Sequence, residues 1–194
     1  MSRDSLRQRL RAARRALPPD ERRQAAAAAA AILAALPQFR VARRIAAYIA
    51  MDGELDPAPF IAAAWAAGKQ AYLPVLLPDD HGPLAFQPYT AGTPLKPNRL
   101  RIPEPDAPLA TALSAMELDL VLAPLVGFDM SGRRLGMGGG FYDRTFAFLK
   151  DGNIRRPVLI GLAYECQRVA ELDEASWDVP LSAVVTEQQF YAIT

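Results

Sequence analysis

Hydrophobic side chains recur with helical spacing at the start of the chain and in strand-length runs further along. The first stripe repeats every three to four positions, at Leu6, Leu10, Ala13 and Leu17. It predicts an amphipathic helix that ends at the Pro18-Pro19 pair. A second helix is predicted from Pro19, because proline suits a first helical turn, and it should stop before Pro37.

Continuous apolar runs of strand length, which are typical of buried strands, alternate with two further helical segments. The predicted strands cover residues 44–50, 70–75, 84–87, 118–123, 157–163 and 183–186, and the predicted helices cover residues 56–68 and 141–149. Residues 74–108 contain nine of the 17 prolines and are predicted to be mostly irregular. The alternation favours an α/β fold, a three-layer α/β/α domain around a largely parallel sheet.

The chain has 194 residues, of which 51% are hydrophobic, and this is enough for one sizeable core. We therefore expect residues 1–194 to form a single domain, with residues 1–36 as a helical arm packed on its body. One cysteine, Cys166, excludes an internal disulfide, and the longest apolar run, residues 25–36, is too short to cross a membrane. These features indicate a cytoplasmic protein without a membrane partner.

The formal net charge of +1 hides an uneven distribution. Residues 1–23 hold eight arginines and three acids, a net charge of +5, so the remaining residues carry −4. A basic arm indicates an anionic partner, which could be nucleic acid, phosphate or a polyacid. Nucleic acid is disfavoured, because the segment has leucines that should dock it on the body, no interleaved aromatic residues and no helix-turn-helix spacing.

Six of the 12 glycines lie between Gly127 and Gly140, directly after the predicted strand 118–123. A strand, a glycine-rich loop and a helix start in this order can bind an anion, because backbone N–H groups and the helix dipole face it. Arg133 and Arg134 can add charge-assisted hydrogen bonds. Neither the dinucleotide nor the P-loop fingerprint is present. A tight turn without a ligand is the alternative for the same glycines.

An ordered set of motifs resembles the 5-formyltetrahydrofolate cyclo-ligase (methenyltetrahydrofolate synthetase) family over nearly the whole chain. The central motif is RLGMGGGFYDR at residues 134–144. The others are RDSLR at 3–7, YIAMDGE at 48–54, IPEP at 102–105, LDLVLAP at 118–124 and IGLA at 160–163. The resemblance implies a sheet like those of sugar-phosphate isomerases and CoA transferases. It also implies ATP- and Mg²⁺-dependent closure of 5-formyltetrahydrofolate, with or without a polyglutamate tail, to 5,10-methenyltetrahydrofolate through an N5-iminium phosphate.

The resemblance also assigns roles by position. ATP would contact Arg3, Arg7, Arg134, Leu135, Gly136, Met137, Gly138, Gly139, Gly140, Phe141 and Tyr142. The folate would contact Ile49, Glu54, Met137, Gly138, Gly139, Gly140 and Phe141. Magnesium would be held by Asp143 and Asp178, and the predicted catalytic residues are Arg134 and Tyr142. We expect neither a nucleic-acid partner nor an obligate protein partner.

Three positions depart from the family pattern. Arg3 stands where lysine is usual, which keeps the charge but replaces a compact ammonium with a planar fork. Phe141 replaces the first of two usual tyrosines, so any hydroxyl role falls to Tyr142. Leu100 and Arg101 precede the IPEP motif where an aromatic residue or glycine is common, which leaves the folate-stacking residue there unassigned.

Several of these residues have simpler alternative roles. Asp143 could be only a favourable charge in the first helical turn, and Asp178 only a surface residue. His81 favours a plain turn over a metal site, since the chain has no second histidine. Cys166 is predicted to be a small buried hydrophobe rather than a nucleophile. A non-catalytic nucleotide or folate sensor on the same fold is the alternative function.

Overall fold

The computed structural model describes residues 2–79 and 82–193 of the chain. Its α-helices are α1 (Arg3–Ala16), α2 (Pro19–Ala35), α3 (Pro37–Val41), α4 (Ala58–Ala66) and α5 (Phe141–Phe146). Its strands are β1 (Arg44–Ala46), β2 (Gln70–Leu76), β3 (Leu84–Tyr89), β4 (Leu95–Pro97), β5 (Pro103–Pro105), β6 (Leu120–Pro124), β7 (Gly127–Phe128), β8 (Arg134–Leu135), β9 (Val158–Leu162), β10 (Ala183–Val185) and β11 (Phe190–Ala192). Short 3₁₀ turns cover Leu109–Thr111, Ala115–Glu117, Ala147–Lys150 and Glu165–Gln167.

Seven strands form the central sheet in the order β11-β10-β9-β6-β1-β2-β3. The five inner strands pair in parallel, and only the edge strands β3 and β11 run antiparallel to their neighbours. This architecture confirms the predicted α/β class. Strands β4 and β5 form a separate hairpin, and β7 and β8 a two-stranded ribbon.

Both faces of the sheet are buried, as the continuous apolar runs predicted. Along β6, Leu120 and Leu122 face the alanine-rich surface of α2 together with α4, whereas Val121 and Ala123 face the opposite side. Phe146 of α5 packs on that second side. The second layer is thinner than the first, because α5 has only six residues and 3₁₀ turns and irregular chain complete it.

The strand order creates a crevice between the carboxyl ends of β1 and β6, which are neighbours in the sheet. From β1 the chain passes through α4 on one face to β2, whereas from β6 it passes through α5 on the other face to β9. Connections that leave two adjacent parallel strands in opposite directions open a gap where α/β proteins bind ligands. The loops after β1 and β6 are therefore placed to form a site.

Helix α1 docks beside this crevice instead of extending from the body. Its apolar stripe, predicted from Leu6 and Leu10, packs on Val126, Leu135 and Leu172. Gly127 permits the close approach, since a Cβ atom there would lie 2.6 Å from Leu10 Cδ1. The basic arm is thereby held against the loops that follow β6.

Two strand predictions differ from the structure. The strand predicted at 44–50 ends at Ala46, because the chain then turns away from β6 towards the crevice. The proline-rich region, residues 74–108, is mostly irregular as predicted, but β3 extends beyond the predicted 84–87 to Tyr89, and the β4–β5 hairpin was not predicted. Pro74 fits within β2 because β1 pairs only with residues 70–72, so no strand on that side requires its missing N–H.

The helix predicted at 141–149 is α-helical to Phe146 and continues as a 3₁₀ turn. Cys166 is exposed rather than buried, because the 165–167 turn points Gln167 inward to bond the Leu125 and Val126 carbonyls. His81 lies outside the described residues. Within 2–79 and 82–193, no helix is long and apolar enough to cross a membrane.

Candidate active site

A cavity of about 770 Å³ opens at the carboxyl ends of β1, β2 and β6. The residues singled out in the sequence converge on it from four separate segments. Those that line it are Arg3, Arg7, Ile49, Glu54, Arg134, Gly136, Met137, Gly138, Gly139, Gly140, Phe141, Tyr142, Asp143 and Asp178. Leu135 is the exception, because its side chain is buried beneath α1 against Leu10.

Arginines from α1 border one end of the cavity. The Arg7 Nε donates a 2.9 Å hydrogen bond to the Gly136 carbonyl, and its guanidinium also pairs with Asp4. Arg3 lies 3.5 Å from a carboxylate oxygen of Asp178. The first turns of α1 and the glycine-rich loop, about 130 residues apart in sequence, are therefore two walls of one basic pocket.

Arg134 on β8 lies nearly buried between the two acidic residues of this end. Its guanidinium pairs with Asp143 on α5 and donates to the Val179 carbonyl. The same Asp143 oxygen accepts the Val179 N–H at 3.2 Å. These contacts fix the planar guanidinium at the base of the pocket, with its charge directed at the ligand space.

The glycine-rich loop, residues 136–140, connects β8 to α5. Gly138 and Gly140 have φ values of +99° and +65°. Residues other than glycine adopt such positive φ values only with strain. Gly140 is the residue that precedes α5, so the loop leads directly into that helix N-terminus. Glycine-rich backbone in this position exposes N–H groups towards an oxyanion.

Glu54 borders the cavity from the loop between β1 and α4. Its carboxylate accepts the Met51 N–H at 3.0 Å and lies 3.6 Å from the Arg14 guanidinium. Burial raises the pKa of Glu54 above its ordinary 4.5, and these two partners oppose the rise. A buried carboxylate is suited to accept hydrogen bonds from the N–H groups of a heterocyclic ligand.

Tyr142, on the first turn of α5, packs on Phe146 with ring centroids 5.8 Å apart. Burial, and then the charge of Glu54, raise the pKa of Tyr142 well above its ordinary 10, despite the opposing charge of Arg134. Its hydroxyl therefore remains protonated at neutral pH. Tyr142 can donate a hydrogen bond to a ligand between Glu54 and Arg134 but is unsuited to act as a base.

The rim of the cavity carries exposed apolar side chains from four separate segments, namely Met51, Leu100, Met137 and Trp177. Leu100 lies at the tip of the β4–β5 hairpin. Glu104 holds this hairpin in place by accepting the Leu76 N–H at 3.2 Å and the Asn98 side-chain amide at 3.0 Å. Apolar surface at a ligand entrance can pack on the flat rings of a bound molecule.

Sequence reasoning missed Arg14, whose side chain is fully buried at the edge of the cavity. A signal was available, because Arg14 follows Leu10 by four positions and precedes Leu17 by three, so it lies within the apolar stripe of α1. A charged side chain in such a stripe requires a buried partner. Trp177 was also missed, because exposed residues of a turn leave no periodic pattern.

The two predicted magnesium ligands, Asp143 and Asp178, both lie within the electrostatic reach of Arg134. Within the described part of the chain, no group of three or more histidine, cysteine or acidic residues could hold a metal by itself. Among the described contacts, Asp143 uses only Oδ1 and Asp178 only Oδ2, so each carboxylate keeps one oxygen for a cation. Such a pair fits Mg²⁺, which takes one or two carboxylates together with phosphate oxygens and water.

An open α/β sheet that carries a basic glycine loop and a largely buried carboxylate in one crevice is typical of α/β enzymes that bind an anionic ligand. The model of the 5-formyltetrahydrofolate cyclo-ligase family matches residues 1–187. The chain therefore belongs to the 5-formyltetrahydrofolate cyclo-ligase family, and its fellow members are ligases of folate metabolism.

Relatives and solved structures agree with this assignment. The 5-formyltetrahydrofolate cyclo-ligase of Escherichia coli K12 is 41% identical over 182 residues, covering 94% of this chain and 98% of the relative. The Haemophilus influenzae protein of the same name is 44% identical over 142 residues, which cover 73% of this chain and 74% of the relative. The NMR structure of Aquifex aeolicus 5,10-methenyltetrahydrofolate synthetase superposes with a TM-score of 0.83 at 27% identity, covering 100% of this chain and 93% of that one.

Proposed function

We propose that this chain catalyses the ATP- and Mg²⁺-dependent cyclisation of 5-formyltetrahydrofolate to 5,10-methenyltetrahydrofolate, with release of ADP and phosphate. One observation carries the proposal beyond family membership. A single cavity has arginines and a glycine loop at one end and the largely buried Glu54 carboxylate towards the other. This arrangement suits a reaction between a triphosphate, which would bind at the basic end, and a pterin, which would bind near the carboxylate.

The triphosphate would occupy the basic end. Arg3, Arg7 and Arg134 supply positive charge, and the backbone of residues 136–140 supplies N–H donors. Mg²⁺ would bind the free oxygens of Asp143 and Asp178 and neutralise phosphate charge. Phosphoryl transfer depends mainly on such positioning and charge stabilisation, so no protein nucleophile is needed.

The folate would place its pterin near Glu54 and Ile49. An ionised Glu54 can accept hydrogen bonds from the N–H donors of the pyrimidine edge. The exposed Leu100 and Met137 side chains on the rim would cover the rings and exclude water. Residues 137–141 would then lie between the two substrates, so that the formyl group faces the γ-phosphate.

The formamide oxygen is a poor leaving group and needs activation. It attacks the γ-phosphorus of ATP, the bond to the bridging oxygen breaks, and ADP leaves. Folate N10 attacks the activated carbon of the resulting N5-iminium phosphate, the carbon–oxygen bond breaks, and phosphate departs as N10 loses its proton. Arg134 would stabilise the charge on the transferring phosphoryl group, and the protonated Tyr142 would orient the formyl oxygen or N10.

Binding of nucleic acid through α1 is a weaker candidate, because much of the arginine charge is already paired. Arg11, Arg14 and Arg15 bind Asp52, and Arg7 binds Asp4 and the Gly136 carbonyl. We further propose that the reaction takes place in the cytoplasm on free small molecules, which agrees with a chain that has one cysteine.

Turnover by the purified protein tests this proposal. With 5-formyltetrahydrofolate, ATP and Mg²⁺ all present, we expect a rise in the near-ultraviolet absorbance of the methenyl product. Omission of ATP, or chelation of Mg²⁺, should abolish the rise. Folded protein that binds both substrates without forming product would instead support the non-catalytic sensor.

A further inference from the structure

Arg14 joins three parts of the site through one buried guanidinium. Its Nε donates to the Asp52 carbonyl at 3.0 Å, and its Nη2 donates to the Asp52 carboxylate at 2.9 Å. Its Nη1 donates to the carbonyl of Leu125, directly after β6, at 3.2 Å. The same Nη2 lies 3.6 Å from the Glu54 carboxylate. Helix α1 is thus connected to both loops that border the crevice.

The orientation of Glu54 depends on few other contacts. Among the described residues, its carboxylate has two polar partners, the Met51 N–H within its own loop and the Arg14 guanidinium. The loop itself is conformationally unusual, because Asp52 and Gly53 both have positive φ, at +54° and +73°. Asp52 is kept in that conformation by arginines of α1, with Arg14 the one that is fully buried.

We infer that Arg14 is a positioning residue for Glu54, the protein carboxylate that would bind the folate: the Arg14 guanidinium holds the Glu54 side chain in its orientation at the cavity. The inference rests on the proposed function, in which Glu54 accepts hydrogen bonds from the pterin. Arg14 also lines the cavity, so its charge acts within the same desolvated space. Its role is separate from the roles of Arg3, which contacts Asp178, and Arg7, which contacts the glycine loop, both at the basic end.

The charged and titratable groups around Glu54 determine its ionisation. From α1, Arg14 and Arg11 favour the carboxylate, whereas Asp52 in the same loop disfavours it. Burial, and then the negative charge of Glu54, raise the pKa of two neighbouring tyrosines, Tyr48 after β1 and Tyr142 on α5. Of the two arginines, only Arg14 forms an ion pair with Glu54, so its loss should raise the pKa of that carboxyl further.

The test compares Arg14→Gln with a matched control, Arg15→Gln. Arg15 also belongs to α1 and binds Asp52, but its side chain is half exposed and has no ion pair with Glu54 in the described structure. Both variants remove an arginine–Asp52 contact, whereas only Arg14→Gln removes the partner of Glu54. We measure the KM for 5-formyltetrahydrofolate and for ATP across the acid and neutral pH range.

For Arg14→Gln we expect the KM for the folate to rise about tenfold or more, with the KM for ATP within about twofold of the original. In the profile of folate KM against pH, the rise on the acid side (the acid limb) should also move to higher pH by about one pH unit. The reason is that Glu54 is easier to protonate once its cationic partner is lost. In the control, both KM values and the position of the limb should stay unchanged.

Equal effects of the two substitutions, or an acid limb that does not move in Arg14→Gln, would overturn the inference while leaving the proposed function in place. Absence of turnover by the unmodified protein would overturn the proposed function, and the inference with it. If Arg14→Gln does not fold, Arg14→Lys replaces it. Lysine keeps the charge but cannot make all four contacts, so the folate KM should rise alone, and a matching rise in the ATP KM would refute the role.

Discussion

Arg134 shows how a single side chain can be fixed for catalysis by contacts that also explain its burial. Its guanidinium has a carboxylate partner in Asp143 and a carbonyl partner at Val179, which together compensate its removal from water. Burial lowers the pKa of Arg134, and the acidic neighbours Asp143 and Asp178 oppose this, so it keeps its charge at neutral pH. A preorganised cation of this kind stabilises developing phosphoryl charge without rearrangement.

Replacement of Arg134 by alanine should therefore lower kcat by about a hundredfold or more, since it removes the cation that Asp143 and the Val179 carbonyl hold at the base of the pocket. Steady-state kinetics measures the loss, and circular dichroism verifies the fold. Arg133→Ala is the control, because the Arg133 side chain pairs with Asp129 and Glu171. A kcat near the original in Arg134→Ala, or equal losses in both variants, would refute the assignment.

At the scale of elements, the glycine loop has a backbone conformation that requires glycine, and the same loop forms part of the binding surface. Gly138 has φ +99°, and an added Cβ there would come to 4.0 Å from the Arg7 guanidinium. Alanine would therefore strain the loop by about 1–2 kcal/mol without a severe clash and displace its N–H groups.

We expect Gly138→Ala to raise the KM for ATP about tenfold or more, because the loop can no longer present its donors to the phosphates. The matched control is Gly68→Ala, at the end of α4, where φ is +70° and no atom lies within 4 Å of an added Cβ. Both variants should lose similar thermal stability, but only Gly138→Ala should affect ATP. An ATP KM that is unchanged in Gly138→Ala would contradict the role of the loop.

Helix α1 is attached to the loop after β1 through Asp52, which binds Arg11, Arg14 and Arg15. Burial alone would raise the pKa of Asp52, but hydrogen bonds from Arg11, Arg15 and Arg14 lower it from 3.8 to about 2. A carboxyl with a lower pKa in the folded state stabilises the fold above its unfolded pKa and loses that effect as it becomes protonated.

The free energy of unfolding should therefore fall as the pH drops from about 4 towards 2, and Asp52→Asn should show a shallower fall over that window. Chemical denaturation at a series of pH values measures the slope. Asp20→Asn serves as the control, because Asp20 forms an exposed ion pair with Arg23 on the surface of α2, and such pairs contribute little. Identical slopes for the Asp52 variant and the original protein would exclude this attachment.

Across the whole molecule, the inner strands and main helices could be predicted because each has a strong local pattern, such as the apolar run that became β6. The β7–β8 ribbon and β4–β5 hairpin could not, because their two- and three-residue strands lack a period and depend on distant partners. The motifs identified about half of the residues that line the cavity. The apolar stripe of α1 indicates that Arg14 is buried, but its partners Asp52 and Glu54 could not be predicted, because only the tertiary structure brings them together.

The fate of the formyl oxygen tests the central claim most directly, because the proposed reaction transfers that oxygen to phosphate. We would supply 5-formyltetrahydrofolate labelled with oxygen-18 in the formyl group, together with ATP and Mg²⁺, and analyse the released phosphate by mass spectrometry. Formation of the methenyl product should be accompanied by one labelled oxygen per phosphate. Product formed with unlabelled phosphate, or ATP hydrolysed without ring closure, would contradict the account.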